Sequence, residues 1–264
     1  MESQTNHTRG RRVRRILLII LAALIVLCAV IVGMCLVVQR KAVTPLDAYR
    51  MQFPGTVIDV ADDGAVTITP KDGSVRLGTG ILFYTGAQIT PDAYIPLLAR
   101  LSEAGYDCYI PKLTCNMASL ERNAADAVID THPEIRHWYL AGHSMGGLTA
   151  SGYVTDHADT VDGLILLAAY TNRDMSGLSL PVLSIYGDAD GVMNGKLYEK
   201  RLTWYPADFE EHVVEGANHA QYGDYGEQPR DNEAHITAEQ QQRETARIMG
   251  DWLTRHETTA DEEK

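Results

Sequence analysis

A long apolar run near the amino terminus is the strongest feature of the hydrophobic pattern. From Ile16 to Val38 the chain reads ILLIILAALIVLCAVIVGMCLVV, which is 23 residues without a charged side chain. At about 1.5 Å per residue, a helix of this length exceeds the roughly 30 Å hydrocarbon core of a bilayer. The pattern therefore predicts one transmembrane helix over residues 16–38, preceded by a basic tail over residues 1–15.

The charges around this run predict its orientation. Five arginines lie between Arg9 and Arg15, whereas only Arg40 and Lys41 follow the run. The positive-inside rule then places the short tail in the cytoplasm and the rest of the chain outside it. A cleaved signal peptide is the alternative, but its apolar region usually spans about 7–15 residues and ends at a small-residue cleavage site. We therefore expect an uncleaved, single-pass membrane anchor.

The segment after the anchor carries linker and turn signals. Two prolines disfavour a continuous helix over residues 39–55, so this segment is expected to be a tether. The β-rich runs that follow, VIDVA, AVTITP and SVRL, are separated by the pairs Asp63-Gly64 and Asp72-Gly73. Asp-Gly pairs between such runs are typical of hairpin turns, so the fold is expected to open with an antiparallel meander near Thr56.

From Gly80 onward, short apolar runs alternate with stretches of helical periodicity. The strand runs are ILFY (81–84), YDCYIP (106–111), HWYLAG (137–142), LILLAAY (164–170), VLSIYG (182–187) and EEHVVEG (210–216). Helices are expected over 92–104, 117–130, 145–156, 194–202 and 236–255. This alternation indicates a mostly parallel sheet with helices on both faces. We expect one α/β domain over residues 56–256 and a frayed tail over residues 257–264.

Composition excludes several classes of protein. Of the 264 residues, 45% are hydrophobic, which is too many for a disordered chain, and four are cysteines, which is too few for a disulfide scaffold. The net charge of −12 argues against a nucleic-acid partner. The sequence has no zinc-binding motif, dinucleotide loop or P-loop, so neither a metal nor a cofactor is expected. Whether Cys108 and Cys115 pair in an oxidising compartment stays open.

The candidate nucleophile lies between an expected strand and an expected helix. Residues 142–146 read Gly-His-Ser-Met-Gly, and the small residues Gly142 and Gly146 permit a sharp strand-to-helix turn. Such a turn, which includes His143, exposes Ser144 above the sheet as a nucleophile. The alternative is that Ser144 only caps the amino terminus of a glycine-rich helix.

A serine nucleophile needs a histidine that a carboxylate orients. His219 and His235 lie in expected loops near the end of the chain. His219 is favoured because it follows the last expected strand, where a loop-borne base is placed. Asp188 and Asp190 both follow the run VLSIYG, so the residue pattern leaves two candidate carboxylates.

Residues 66–253 resemble the α/β-hydrolase family, in particular its small lidless branch similar to dienelactone hydrolases. The motifs that carry the resemblance are Phe83-Tyr84-Thr85-Gly86-Ala87, Gly142-His143-Ser144-Met145-Gly146, Tyr186-Gly187-Asp188-Ala189-Asp190-Gly191 and Gly216-Ala217-Asn218-His219-Ala220-Gln221-Tyr222-Gly223. The resemblance implies an α/β-hydrolase fold and a triad of Ser144, Asp190 and His219, with Asp188 as the alternative acid. Dienelactone hydrolases carry a cysteine nucleophile where this chain has Ser144, so their substrate is not implied.

The same resemblance implies where an oxyanion would be bound. In this fold one donor is the backbone N–H of the residue after the nucleophile, here Met145. The second donor comes from the loop after the first parallel strand, here Gly86 or Ala87. Family members often carry Gly-Gly at this turn, and the pair Gly86-Ala87 leaves the second donor open between these two residues.

The expected substrate site is open. About eleven residues, 171–181, separate two late strand runs, which is too few for a helical cap. An uncapped site suits small-molecule or glycan-borne esters with short or exposed acyl groups. We therefore expect a membrane-anchored serine hydrolase that cleaves carboxylic esters. An acyltransferase that uses the same triad and an inactive surface binding module that keeps the fold are the alternatives.

Overall fold

The computed structural model describes residues 2–37 and 39–262. The chain divides into two units: the first ends at Gln39, and the second begins at Arg40. The first unit consists of helix α1 (Glu2–Val37), which begins within the expected basic tail. Its stretch Arg12–Val30 is long and apolar enough to cross a membrane, and none of that stretch is buried inside the protein. A signal sequence near an amino terminus can also contain an apolar helix of this kind, so length and composition alone leave the anchor and the signal sequence as alternatives.

The second unit is built on an eight-stranded sheet. Its strands, within the described residues, are β1 (Thr56–Val60), β2 (Val66–Pro70), β3 (Thr79–Tyr84), β4 (Asp107–Ile110), β5 (His137–His143), β6 (Gly163–Leu167), β7 (Val182–Gly187) and β8 (Phe209–Val214). They are ordered β1-β2-β4-β3-β5-β6-β7-β8 across the sheet. β2 pairs antiparallel with β1 and β4, and every other pair is parallel. This confirms the mostly parallel sheet with an antiparallel hairpin at its start.

Helices cover both faces of this sheet. They are α2 (Leu46–Gln52), α3 (Ile95–Glu103), α4 (Ala124–Thr131), α5 (Met145–Asp156), α6 (Gly195–Lys200) and α7 (Ala238–Glu262). Because side chains alternate along a strand, successive residues of β3 point into different cores: Phe83 packs with residues of α3 and α7, and Tyr84 packs with residues of α4 and α5. The expected α/β architecture is therefore confirmed, with a hydrophobic core on each side.

Two expected elements differ from the pattern-based prediction. SVRL (74–77) is not a strand, because β4 takes the free edge of β2 in an antiparallel pair, Ile68 with Cys108. Val75 is consequently exposed to solvent. The helix expected over 117–130 is broken into a short 3-10 turn at Ala118–Leu120 and α4.

From Arg40 onward, the segment expected to be a tether is part of the second unit and packs against the rest of it. From Arg40 onward it hydrogen bonds to that unit, and α2 places Tyr49 and then Phe53 in the core on the side of α3. At the other end, α7 continues to Glu262, so the tail expected to fray from residue 257 is helical as far as it is described.

The fold also shows whether Cys108 is paired and whether a helical cap is present between β6 and β7. Cys108 is a free thiol buried beneath α3, where its Sγ lies 3.5 Å from the carbonyl oxygen of Leu98. The pairing of Cys108 with Cys115 is therefore not found. Between β6 and β7, residues 168–181 are all described and contain no helix, so the region where a cap could be inserted is a bare loop.

Candidate active site

Ser144 lies at the sharp turn between β5 and α5. Its backbone has φ 54° and ψ −119°, a conformation that costs energy for any residue with a side chain. Two hydrogen bonds fix it there: the Ser144 N–H donates to Leu167 O (2.9 Å), and Leu148 N–H donates to Ser144 O (3.1 Å). The Ser144 side chain caps no N–H of α5, so the helix-cap interpretation is wrong.

Close approach of backbones explains the glycines on either side of Ser144. A Cβ at Gly146 would lie 2.1 Å from Tyr84 O, and a Cβ at Gly142 would lie 2.6 Å from Gly146 C. Only glycine lets α5 begin directly against the end of β3 and β5. The expected tight strand-to-helix turn is thus confirmed in geometry.

The carboxyl-end loops of β7 and β8 bring Asp190 and His219 together. His219 Nδ1 lies 2.8 Å from Asp190 Oδ2, and both side chains are 2% exposed. The other Asp190 oxygen, Oδ1, accepts from Val192 N–H (2.7 Å) and Met193 N–H (2.8 Å). Three donors therefore stabilise the carboxylate in a buried position. His219 Nε2 is buried and has no hydrogen-bond partner within residues 39–262.

The competing acid and base candidates are placed elsewhere. Asp188 is exposed, and its Oδ1 accepts from Gly216 N–H at 2.7 Å, so it connects the two loops without contacting His219. His235 is exposed, and its backbone N–H donates to Gly216 O. Of the sequence candidates, the structure thus joins Asp190 and His219 into a pair.

Residue 231 has a role that the sequence analysis missed. Asp231 Oδ1 accepts from Gly191 N–H (3.0 Å) and from His219 N–H (3.2 Å), and Oδ2 accepts from Ala220 N–H (2.8 Å). One carboxylate therefore connects the loop that carries Asp190 to the loop that carries His219. An aspartate in a polar loop gives no local sequence signal for such a contact.

A buried hydrogen-bond chain lies behind the nucleophile. Tyr94 Oη accepts from Gly86 N–H (2.9 Å) and lies 2.8 Å from His143 Nδ1. Because the phenol accepts from Gly86, its own proton is available for Nδ1, which leaves the proton of a neutral His143 on Nε2. Burial, with His219 beside it, lowers the pKa of the His143 imidazole well below its ordinary value. His143 is therefore a neutral, structural histidine whose ring centroid lies 4.7 Å from that of His219.

The backbone amides near Ser144 differ in their availability. The Gly86 N–H is already used by Tyr94, and a Cβ at Gly86 would lie 2.9 Å from His143 Nδ1. The N–H groups of Ala87 and Met145 make no hydrogen bond to any residue that the structure describes. Two unpaired donors therefore remain in the two segments where the oxyanion donors were expected.

The described residues contain no cluster of His, Cys, Asp and Glu that could hold a metal ion.

Known proteins share this architecture. The alpha/beta hydrolase family model matches residues 80–243, more than half of the chain. No curated protein matches the sequence. Similar solved structures include the predicted CIB-like hydrolase from Thermoplasma acidophilum, at 18% identity and a TM-score of 0.50 over 75% of this chain and 99% of that chain. The Paleococcus ferrophilus monoacylglycerol lipase is 15% identical, with a TM-score of 0.52 over 69% of this chain and 96% of that chain. Est1E from Butyrivibrio proteoclasticus is 13% identical, with a TM-score of 0.53 over 77% of this chain and 99% of that chain. These likenesses are of fold, and with the family match they show that the chain belongs to the alpha/beta hydrolase family.

Proposed function

We propose that this protein is a serine hydrolase that cleaves carboxylic esters through Ser144, His219 and Asp190. The observation that carries the proposal is the buried His219–Asp190 pair, with Nδ1 fixed at 2.8 Å and Nε2 left without a partner. That histidine ring packs on His143, the residue directly before the strained Ser144. His219 Nε2 makes no hydrogen bond to Ser144 in this structure. A resting enzyme can hold its base farther from the nucleophile and bring the two together when the substrate binds.

The proposed reaction follows from the roles of these atoms. His219 Nε2 takes the proton of Ser144 as Oγ attacks the ester carbonyl, and Asp190 stabilises the imidazolium through the bond to Nδ1. The imidazolium then gives its proton to the departing alkoxide, which leaves an acyl group on Ser144. A water molecule, deprotonated by the same Nε2, attacks the acyl carbonyl and releases the carboxylic acid and free Ser144.

Met145 and Ala87 are the proposed oxyanion donors. Both backbone N–H groups lack a partner among the described residues, whereas Gly86 N–H donates to Tyr94. The sequence left the second donor open between Gly86 and Ala87, and this bond favours Ala87. Met145 is the first residue of α5, so the positive end of the helix dipole adds to the stabilisation of the negative oxygen.

The proposed substrates are small-molecule or glycan-borne esters with short or exposed acyl groups. The loop over residues 168–181 supplies no cap that would enclose a long acyl chain.

We further propose that α1 is an uncleaved single-pass anchor, with its amino terminus in the cytoplasm and the catalytic unit outside. Mass spectrometry of the mature protein tests this, because cleavage as a signal sequence would remove the apolar stretch Arg12–Val30.

The activity is tested with p-nitrophenyl esters from acetyl to palmitoyl. The full chain is expected to hydrolyse short esters, and Ser144→Ala is expected to lose this turnover. Ser176→Ala is the matched control, since Ser176 is an exposed serine that contacts Asp174 in the loop between β6 and β7. Turnover by Ser144→Ala equal to that of the control would overturn the mechanism. Ester formation with an added alcohol in place of hydrolysis would favour the acyltransferase.

A further inference from the structure

The segment from Arg40 to Tyr49, here called the N-terminal strap, lies outside the region that matches the family model. At its beginning, Arg40 forms a parallel β-bridge with Ile89. Arg40 N–H donates to Gln88 O (2.7 Å), and Thr90 N–H donates to Arg40 O (2.9 Å). The strap thus pairs, through a single β-bridge, with the loop that contains the proposed oxyanion donor Ala87.

Gln88 explains why this loop needs support. Its φ is 61°, in the left-handed region that residues with a side chain rarely occupy. Such a conformation persists only where surrounding bonds fix it. Gln88 N–H donates to Asn116 O (2.8 Å), and its carbonyl accepts from Arg40 N–H. One of the two backbone bonds that fix the neighbour of Ala87 therefore comes from the strap.

The rest of the strap binds the loop that carries His219. Val43 N–H donates to Asp224 O (2.9 Å), and Thr44 N–H donates to Asp224 Oδ2 (3.0 Å). The phenol of buried Tyr49 donates to the same Oδ2 at 2.6 Å. Asp224 lies five residues after His219, so these bonds fix part of the segment over residues 215–237 between β8 and α7, here called the histidine loop.

The Arg40 side chain adds a further contact to the same loop. Its Nη1 donates to Gln228 Oε1 (3.2 Å), and the guanidinium lies 5.8 Å from the centre of the Tyr225 ring. Tyr225 is itself buried beside His143, with a ring separation of 6.5 Å. The loop over residues 85–90, which contains Ala87, is here called the oxyanion loop. Arg40 therefore contacts the oxyanion loop through its backbone and the histidine loop through its side chain.

We propose that the N-terminal strap is a positioning element of the active site, which fixes the oxyanion loop and the histidine loop relative to each other. The proposal rests on the proposed function. It makes the chain between the apolar helix and β1 necessary for efficient acyl transfer to Ser144. Displacement of a reacting group by about 1 Å can lower a rate by up to about a hundredfold, so loss of strap contacts should slow the chemical step.

Variants of Asp224 in the full-length protein test one end of the strap. Asp224→Ala removes the acceptor for Thr44 N–H and the Tyr49 phenol, and we expect about a tenfold lower kcat with KM changed less than about twofold. Fluorophosphonate labelling of Ser144 should slow by the same factor. Asp224→Asn keeps an acceptor oxygen and should recover most of the loss. Asp174→Ala is the control, since this exposed aspartate accepts from Ser176 N–H on a surface turn.

A pair of variants at Arg40 tests the other end. Arg40→Pro removes the N–H that donates to Gln88, whereas Arg40→Ala keeps it, so the labelling rate should fall further in the proline variant. Where Asp224→Ala does not fold, Tyr49→Phe removes only one hydroxyl and should still slow labelling measurably. Wild-type labelling rates and kcat in folded Asp224→Ala, Arg40→Pro and Tyr49→Phe would overturn the strap proposal. If Ser144→Ala kept full turnover, the proposed function would fail, and the strap proposal with it.

Discussion

Removing the hydroxyl of Tyr94 should destabilise the fold and slow catalysis together. Tyr94→Phe leaves two buried groups unpaired, the Gly86 N–H and His143 Nδ1. A buried polar group that loses its partner costs about 1–3 kcal/mol, so after relaxation we expect a loss of about 2–4 kcal/mol in the free energy of unfolding. For a unit of this size, that corresponds to a Tm lower by roughly 5–15 °C.

The catalytic effect of Tyr94→Phe follows from the same bond. Without it, the loop that carries Gly86 and Ala87 loses one of its contacts to the turn at His143. We expect the kcat for short esters to fall about tenfold, since donors to an oxyanion act only when they are held in place. KM should change little, because binding of the ester before reaction does not depend on the oxyanion donor Ala87 N–H.

Tyr139→Phe is the matched control for this prediction. Tyr139 is as fully buried as Tyr94, but its hydroxyl has no hydrogen-bond partner within the part of the chain that the structure describes. Its removal should therefore leave the Tm unchanged or raised. Urea unfolding and thermal unfolding of both variants measure the difference. Equal stabilities for Tyr94→Phe and Tyr139→Phe would refute the reasoning about the buried hydrogen-bond chain.

Three further predictions follow from the site. His143 is buried with a lowered pKa and titrates near about 6.5 when unfolded, so the unfolding free energy should fall as the pH drops below about 6.5, and His143→Gln should flatten that slope in urea titrations from pH 7 to 5. Gly146→Ala should cost about 3 kcal/mol or more in thermal unfolding because of the contact with Tyr84 O, whereas Gly177→Ala, with no atom within 4 Å, should not. Asp231→Ala should slow fluorophosphonate labelling about tenfold, and Asp231→Asn should recover part of the rate.

Regular elements were predictable where a strong local pattern agreed with the fold. The strand VLSIYG and the helix over 145–156 have the expected bounds, because the strand is an apolar run that ends at a glycine and the helix begins directly after the Gly-His-Ser turn. The pattern of a strand followed by a loop also indicated His219 and left Asp188 and Asp190 as candidate acids, because the loops after β7 and β8 meet at one edge of the sheet. The resemblance to the α/β-hydrolase family selected Asp190, and the structure places it against His219.

Contacts between distant loops were not predictable. Asp231 and Asp224 lie in polar loops, and their partners become neighbours only when the sheet has formed. Residues 39–55, which include the strap, were expected to be a tether because two prolines disfavour a continuous helix there. The seven-residue helix α2, which buries only Tyr49, gives too short a periodic signal to correct that expectation. The Gly86 amide was left as an oxyanion donor because nothing local showed that Tyr94 would accept from it.

Covalent trapping of the nucleophile tests the central claim most directly. The full-length protein is treated with a fluorophosphonate, digested, and mapped by mass spectrometry, in parallel with Ser144→Ala and Ser176→Ala. One adduct is expected, on the peptide that contains Ser144; it should be absent from Ser144→Ala and present in Ser176→Ala. The absence of an adduct on Ser144 in a folded protein, or an adduct that persists in Ser144→Ala, would contradict it.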